Sequence, residues 1–150
     1  MEGRYPYHIL DGNIDKQFST TLPTLIREQS IKYVGFTVMP GPQLRQAISL
    51  SKLIRKNFPE VKIIWGGYFP TLHTKVVLQA PYVDYVIRDQ GDHSFRRLID
   101  ALETGGDVSL IAGLSYKNGT IQHNQKQVLI DPNELPPLPY SKVNIARYIG

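Results

Sequence analysis

Four short clusters of small and polar residues are where this chain could do chemistry. Asp11-Gly12-Asn13, Thr37 to Gly41, Gly66-Gly67-Tyr68 and Arg88-Asp89-Gln90-Gly91-Asp92 each follow a short apolar run. Glycine has no Cβ, so a backbone built with it can approach a flat or bulky ligand closely. Any one cluster also reads as a tight turn from strand to helix, and it is their repetition that points to a site. Other chemistry finds less support. Ser94 lacks a base and an orienting group. His8, His73, His93 and His123 fall on different predicted elements and show no metal-ligand spacing. His73 reads as a helix-surface residue and His93 as a helix-start residue. Asp89 and Asp92 could serve as site carboxylates, although Asp92 followed by Ser94 also suits a helix cap. Neither a dinucleotide-type glycine fingerprint nor a phosphate-binding P-loop occurs. A small stand-alone hydrolase using Asp89, Asp92 and Ser94 therefore lacks both a general base and a phosphate cradle.

The elements that must position these clusters follow from hydrophobic rhythm. Tyr7 to Asp11 reads as a short strand stopped by Gly12 and Asn13. Pro23 could open a short helix with Leu22, Leu25 and Ile26 on its apolar side. Tyr33 to Met39 is apolar on both faces, as a central parallel strand is. Leu44, Ala47, Ile48, Ile54 and Phe58 recur at helical spacing after Pro42. Lys52, Arg55 and Lys56 decorate the other side of that helix and suit its C-terminal dipole. Val61 to Trp65 is the next strand, with Trp65 expected in the core. Thr71 to Gln79 has helix-compatible spacing, Tyr82 to Ile87 is a strand, and His93 to Glu103 is a helix closed by Thr104-Gly105-Gly106. This alternation predicts an α/β fold with a mainly parallel sheet. Ligands of such sheets bind at the carboxyl ends of the strands, which is where the four clusters fall. Leu114 to Lys117 and Thr120 to His123 flank Asn118-Gly119, a hairpin signal of the type I′ kind. The expected organisation is an α/β domain over residues 1–130, with the hairpin at about 114–130, and a Pro-rich linker over 131–150.

Composition narrows the function classes. The 150 residues suit one domain, with 41% hydrophobic and 20% charged residues. That is a folded, not a disordered, balance. Seventeen Lys and Arg against thirteen Asp and Glu give a net charge of +4. The basic residues are scattered, which argues against a nucleic-acid stripe. Cysteine is absent. Disulfides, iron–sulfur clusters, thiolate metal sites and cysteine nucleophiles are therefore excluded from these residues. No apolar run is long enough to cross a bilayer, and Met1 to Tyr7 has no signal-peptide core. A cytoplasmic location and no membrane partner are the expectations.

Three segments taken together are recognisable. Val34-Gly-Phe-Thr-Val38, then Ile63-Ile-Trp-Gly-Gly-Tyr-Phe-Pro-Thr71, then Val83-Asp-Tyr-Val-Ile-Arg-Asp-Gln-Gly-Asp-His-Ser-Phe95 occur in order. They resemble the cobalamin-binding domain that precedes the catalytic barrel of cobalamin-dependent radical SAM proteins, the magnesium-protoporphyrin monomethyl ester cyclase-like group. Ile111 to Lys117 and Glu134 to Pro139 resemble that family's segment leading to the barrel, so the likeness covers about Tyr7 to Tyr148. It implies a Rossmann-like or flavodoxin-like three-layer sandwich, with a C-terminal β-hairpin and a Pro-rich arm. The corrin would lie across the carboxyl edge, its nucleotide tail passing between sheet and helix. Thr37, Val38, Met39, Gly66, Gly67, Tyr68, Pro70, Gly91 and Asp92 would be the cofactor-binding residues. No catalytic residue and no protein ligand to a metal is implied.

The sequence departs from the family in three ways. The family's Gly-Glu-Gly-Glu reads Asp89-Gln90-Gly91-Asp92 here. No Asp-x-His-x-x-Gly segment occurs, so a histidine lower ligand to cobalt is not expected. The family's first strand–helix unit is missing ahead of His8, so either the sheet rearranges, a second chain supplies a strand, or the domain is truncated. That unit would lie inside the sheet, so its absence would expose a strand edge and invite pairing with a second copy. Without cysteine, the iron–sulfur cluster and S-adenosylmethionine belong to a separate catalytic domain. The chain is then a cobalamin-binding module rather than an enzyme by itself. The alternative is a degenerate, ligand-free structural or interaction domain.

Overall fold

The computed structural model describes residues 5–10, 17–89 and 92–125. Its centre is a sheet of five strands in the order β1-β2-β3-β4-β5. β1 (Tyr33–Thr37), β2 (Lys62–Gly66) and β3 (Tyr85–Ile87) are parallel. β4 (Leu114–Asn118) runs antiparallel to β3, and β5 (Thr120–His123) antiparallel to β4. The expected hairpin thus continues the main sheet. Its turn is not type I′. The register centres on Gly119, with Asn118 opposite Thr120, and Gly119 alone has a positive φ. A type I′ turn needs positive φ at both central residues.

Alternation along the strands divides the core in two. Val34, Val38, Ile63, Trp65 and Val86 face one side. There they pack with Ile26 of α1 (Phe18–Gln29), Ala47 and Ile54 of α2 (Pro42–Asn57) and Val77 and Leu78 of α4 (Thr74–Gln79). Ile64, Ile87 and Leu114 face the other side with Leu98 and Ile99 of α5 (Asp92–Thr104). This is the expected three-layer α/β sandwich. Trp65 is core, 2% exposed, and its indole N–H donates to Ser51 Oγ at 3.0 Å. Its ring meets Phe36 and Tyr82 at 6.4 and 6.2 Å.

Several expectations are corrected. Tyr7 to Leu10 form no strand, and Asp11 lies outside the described residues. A segment of this composition becomes a strand only with a ladder neighbour, and β1 does not pair with it. Pro23 does not open a helix. It sits inside α1, which starts five residues earlier. The Thr21 and Thr24 hydroxyls donate to the Gln17 and Thr20 carbonyls at 3.1 and 2.9 Å around it. The helix over Thr71 to Gln79 is two pieces, α3 (Tyr68–Leu72) and α4, broken at His73. The Thr74 hydroxyl donates to Pro70 O at 2.7 Å and faces Thr71 O at 3.2 Å across that break. The strand expected from Tyr82 is paired only from Tyr85. Gly105 and Gly106 close α5 as expected, with Gly106 N–H donating to Ala101 O at 2.7 Å.

Arg55 is also not a plain solvent-facing residue. Its guanidinium pairs with the Asp84 carboxylate. It also donates to Pro59 O at 3.0 Å and Val61 O at 3.2 Å. The same carboxylate accepts from Ile63 N–H at 2.8 Å. The end of α2 is thereby clamped to the start of β2 and β3.

On the α5 side, Tyr5 donates to Asp100 at 2.6 Å and Tyr33 to Glu103 at 2.8 Å. Burial, then the hydrogen bond to Glu103 and its charge, push the Tyr33 phenol up from 10.0 to about 12. Burial also raises Tyr82 and Tyr85. A phenol whose folded value is raised stabilises the fold fully below its unfolded value and loses that contribution as pH rises through the folded one. Stability is therefore expected to fall between pH 10.0 and about 12. Tyr33→Phe should flatten that fall in urea unfolding curves; an unchanged alkaline slope would refute the assignment.

Candidate functional site

The three parallel strands end side by side. Thr37 is in register with Gly66, and Gly66 with Ile87. The loops that follow them therefore share one rim of the sheet. Gly41 turns the first loop into α2 with φ +93°, and Pro42 begins the helix, its fixed φ suited to that position. Gly67 turns the second loop into α3 with φ +100°. Asp89 carries the third loop with φ +60°.

The rim is tied together by hydrogen bonds. Val38 N–H donates to Gly66 O at 2.9 Å, and Phe69 N–H donates to Val38 O at 3.1 Å. The Thr71 hydroxyl donates to Gly67 O at 2.8 Å and accepts from Asp89 N–H at 2.9 Å. One side chain thus joins the loops after β2 and β3. Sequence reasoning used Thr71 only as a motif letter and a helix start. Its place in the Gly66 to Thr71 segment was the available signal.

The expected cofactor-binding residues sort by position. Thr37 is exposed at the end of β1 and Gly66 is half-buried beside it. Met39 and Tyr68 stand out from the rim, 43% and 57% exposed. Tyr68 is exposed rather than packed into the fold, whereas Pro70 on α3 is buried. The Val38 side chain is fully buried, and its backbone holds the neighbouring loops. Gly91 lies outside the described residues, and Asp92 begins α5.

The two rim glycines differ. A Cβ on Gly66 would meet only Ile87 O, at 3.7 Å. A Cβ on Gly67 would lie 3.1 Å from Val38 N, 3.2 Å from Val38 O and 3.3 Å from the Thr37 methyl. The room expected at Gly67 for a ligand is thus taken by the protein's own backbone, whereas Gly66 leaves space. Small residues, Thr37 and Gly66, lie in register at the ends of β1 and β2, and Met39 and Tyr68 are exposed in the loops that follow.

The described residues bring together no hydrolytic set. Ser94 is 3% exposed and donates its hydroxyl proton to Ala112 O at 2.7 Å. Ser115 contacts His123 Nδ1 at 2.9 Å but is wholly buried, out of reach of a substrate. His73 is exposed at the break between α3 and α4, and His93 is exposed in the first turn of α5. Among the described residues no group of three or more His, Cys, Asp or Glu gathers to hold a metal. Arg88, at the end of β3, donates to Asn124 O at 2.5 Å and so holds the hairpin.

Known proteins share this architecture. OxsB, a cobalamin-dependent S-adenosylmethionine radical enzyme solved with aqua-cobalamin and S-adenosylmethionine, superposes with a TM-score of 0.65 at 19% identity, over 74% of this chain and 16% of that one. The radical S-adenosylmethionine methyltransferase TsrM of Kitasatospora setae gives 0.62 at 19% identity, over 72% of this chain and 22% of that one. These likenesses are of fold. In sequence, an uncharacterized methyltransferase of Pyrococcus horikoshii is 27% identical over 133 residues, 87% of this chain and 29% of that protein. The anaerobic magnesium-protoporphyrin IX monomethyl ester cyclase of Synechocystis is 32% identical over 69 residues, 45% of this chain and 14% of the cyclase. The chain thus spans less than a third of either relative. The B12 binding domain family model matches residues 3–99. With that match over more than half its length, on an α/β sandwich whose parallel strands end on one rim, this chain belongs to the B12-binding domain family.

Proposed function

We propose that this domain binds cobalamin across the rim formed by the ends of β1, β2 and β3 and presents it to a radical SAM catalytic domain. The observation that carries this is the register of Thr37, Gly66 and Ile87, which brings the three following loops to one rim. Thr37 and Gly66 would receive the nucleotide side of the cofactor. Met39, Tyr68, Gly91 and Asp92 would line the loops around it, while Val38, Gly67 and Pro70 hold those loops in place. Bound cobalamin supplies a cobalt centre that carries methyl groups or electrons. The chain's own residues hold and orient it and cover its edges. With no cysteine here, the iron–sulfur cluster and S-adenosylmethionine fall to the catalytic domain. We further propose a cytoplasmic module whose partners are the corrinoid, that catalytic domain and a second copy of the chain, not nucleic acid or membrane. Among the described residues no helix is long and apolar enough to cross a membrane.

Adding hydroxocobalamin to the folded chain is expected to change the corrin absorbance and raise the melting temperature. Gly66→Leu should keep the fold, because its Cβ has room, while filling the rim. Binding should weaken by roughly tenfold or more, as when a preformed pocket is blocked. A folded chain indifferent to hydroxocobalamin at high micromolar concentration would overturn the proposal and favour a ligand-free scaffold.

A further inference from the structure

Among the described residues, Ser30 and Asp89 hold a positive φ without being glycine, at 53° and 60°. The left-handed region is costly for any residue with a Cβ, and aspartate visits it only as a single residue. Ser30 has an evident reason: it closes α1, and its N–H donates to Ile26 O. Asp89 closes no helix. It comes two residues after the end of β3 at Ile87, on the way to α5 at Asp92.

Its backbone is held on either side. Arg88 N–H donates to Gly113 O at 2.8 Å, which extends the pairing of β3 with β4 by one residue. Asp89 N–H instead donates to the Thr71 hydroxyl at 2.9 Å. That hydroxyl is oriented to accept. Its own proton goes to Gly67 O at 2.8 Å, one helical turn back, so a lone pair is what it offers Asp89. Thr71 N–H donates to the same carbonyl at 3.2 Å, which fixes the residue in α3.

We infer that Thr71 is a positioning residue for the proposed cobalamin site. Its hydroxyl holds Asp89 in the left-handed conformation and so fixes the direction in which the chain leaves β3 at the rim. The inference rests on the cobalamin reading, within which Thr71 acts through Asp89 and not by touching the corrin. Without the hydroxyl, Asp89 N–H loses its acceptor and the ordinary right-handed backbone becomes the lower-energy one. The fraction of chains that leave β3 in this direction then falls, and the apparent affinity falls with it. Losing a hydrogen bond of this kind shifts an equilibrium by about two- to tenfold.

Thr71→Val keeps the side-chain shape and removes the hydroxyl, whereas Thr71→Ser keeps the hydroxyl. Hydroxocobalamin titrations, run well below the melting temperature of each variant, should show Thr71→Val weaker by about fivefold or more and Thr71→Ser within about twofold of wild type. Asp84→Asn is the comparison for stability. It weakens the fold at the other end of β3 and should leave the affinity unchanged. The Asp89 amide gives a second readout, without cobalamin. Its hydrogen exchange, followed by NMR, should be slow in the wild type and in Thr71→Ser, and faster by about fivefold or more in Thr71→Val. In a wild type that binds, an unweakened Thr71→Val or an equal loss in Asp84→Asn would overturn this inference alone. Equal exchange of the Asp89 amide in wild type and Thr71→Val would do the same. A wild type indifferent to hydroxocobalamin would overturn the cobalamin reading and the binding role of Thr71 with it.

Discussion

Gly67→Ala is expected to destabilise the domain by about 2–5 kcal/mol, through strain at a conformation reserved for glycine plus crowding. Gly67 has φ +100° and ψ −166°. An added methyl group would press on Val38 N and O at 3.1 and 3.2 Å. Those are backbone atoms fixed by bonds to Gly66 O and Phe69 N–H, so they cannot swing aside as a flexible side chain would. The loop would have to lift, and α3 with it. Gly66→Ala is the control. Its new methyl group would meet Ile87 O at an ordinary 3.7 Å, so the cost should stay below about 1 kcal/mol. Urea unfolding of the two variants measures the contrast. Equal effects would show that the close approach of Gly67 to Val38 does not govern this turn.

Asp84→Ala should cost about 2–4 kcal/mol. One carboxylate there serves both the Arg55 guanidinium and the Ile63 N–H. Its removal leaves a cation and a backbone donor without their acceptor, and Arg55 Nε is already buried without a partner. Breaking a fully buried pair costs about 3–5 kcal/mol. These two side chains keep 25% and 27% exposure, which lowers the figure. Asp84→Asn, which retains an acceptor oxygen for Ile63, should lose roughly half as much. Urea midpoints of the three proteins test the order. A harmless Asp84→Ala would mean that water replaces the clamp.

What could be read from the residues was whatever depends on short-range pattern. β1 and β2 are apolar on both faces, and α2 carries its stripe after Pro42, so the parallel core was legible. So was the burial of Trp65. The misses needed a third dimension. Arg55 sits on the charged side of its helix by periodicity, yet its partner Asp84 is 29 residues away. Pro23 looked like a helix start because proline favours that position, but α1 begins at Phe18 and runs through it. Tyr7 to Leu10 has strand composition, yet it joins no strand of the sheet among the described residues. At the site, the glycines were legible as glycines. That Gly66 leaves space while Gly67 admits a neighbouring loop depends on where Val38 lies, and no spacing encodes that.

The Thr71 hydroxyl, shared between Gly67 O and Asp89 N–H, makes two lips of the rim into one jaw. A guest that pushes on either lip meets the stiffness of both. Much of the ordering is therefore complete before anything docks, and little motional freedom is left to lose on capture.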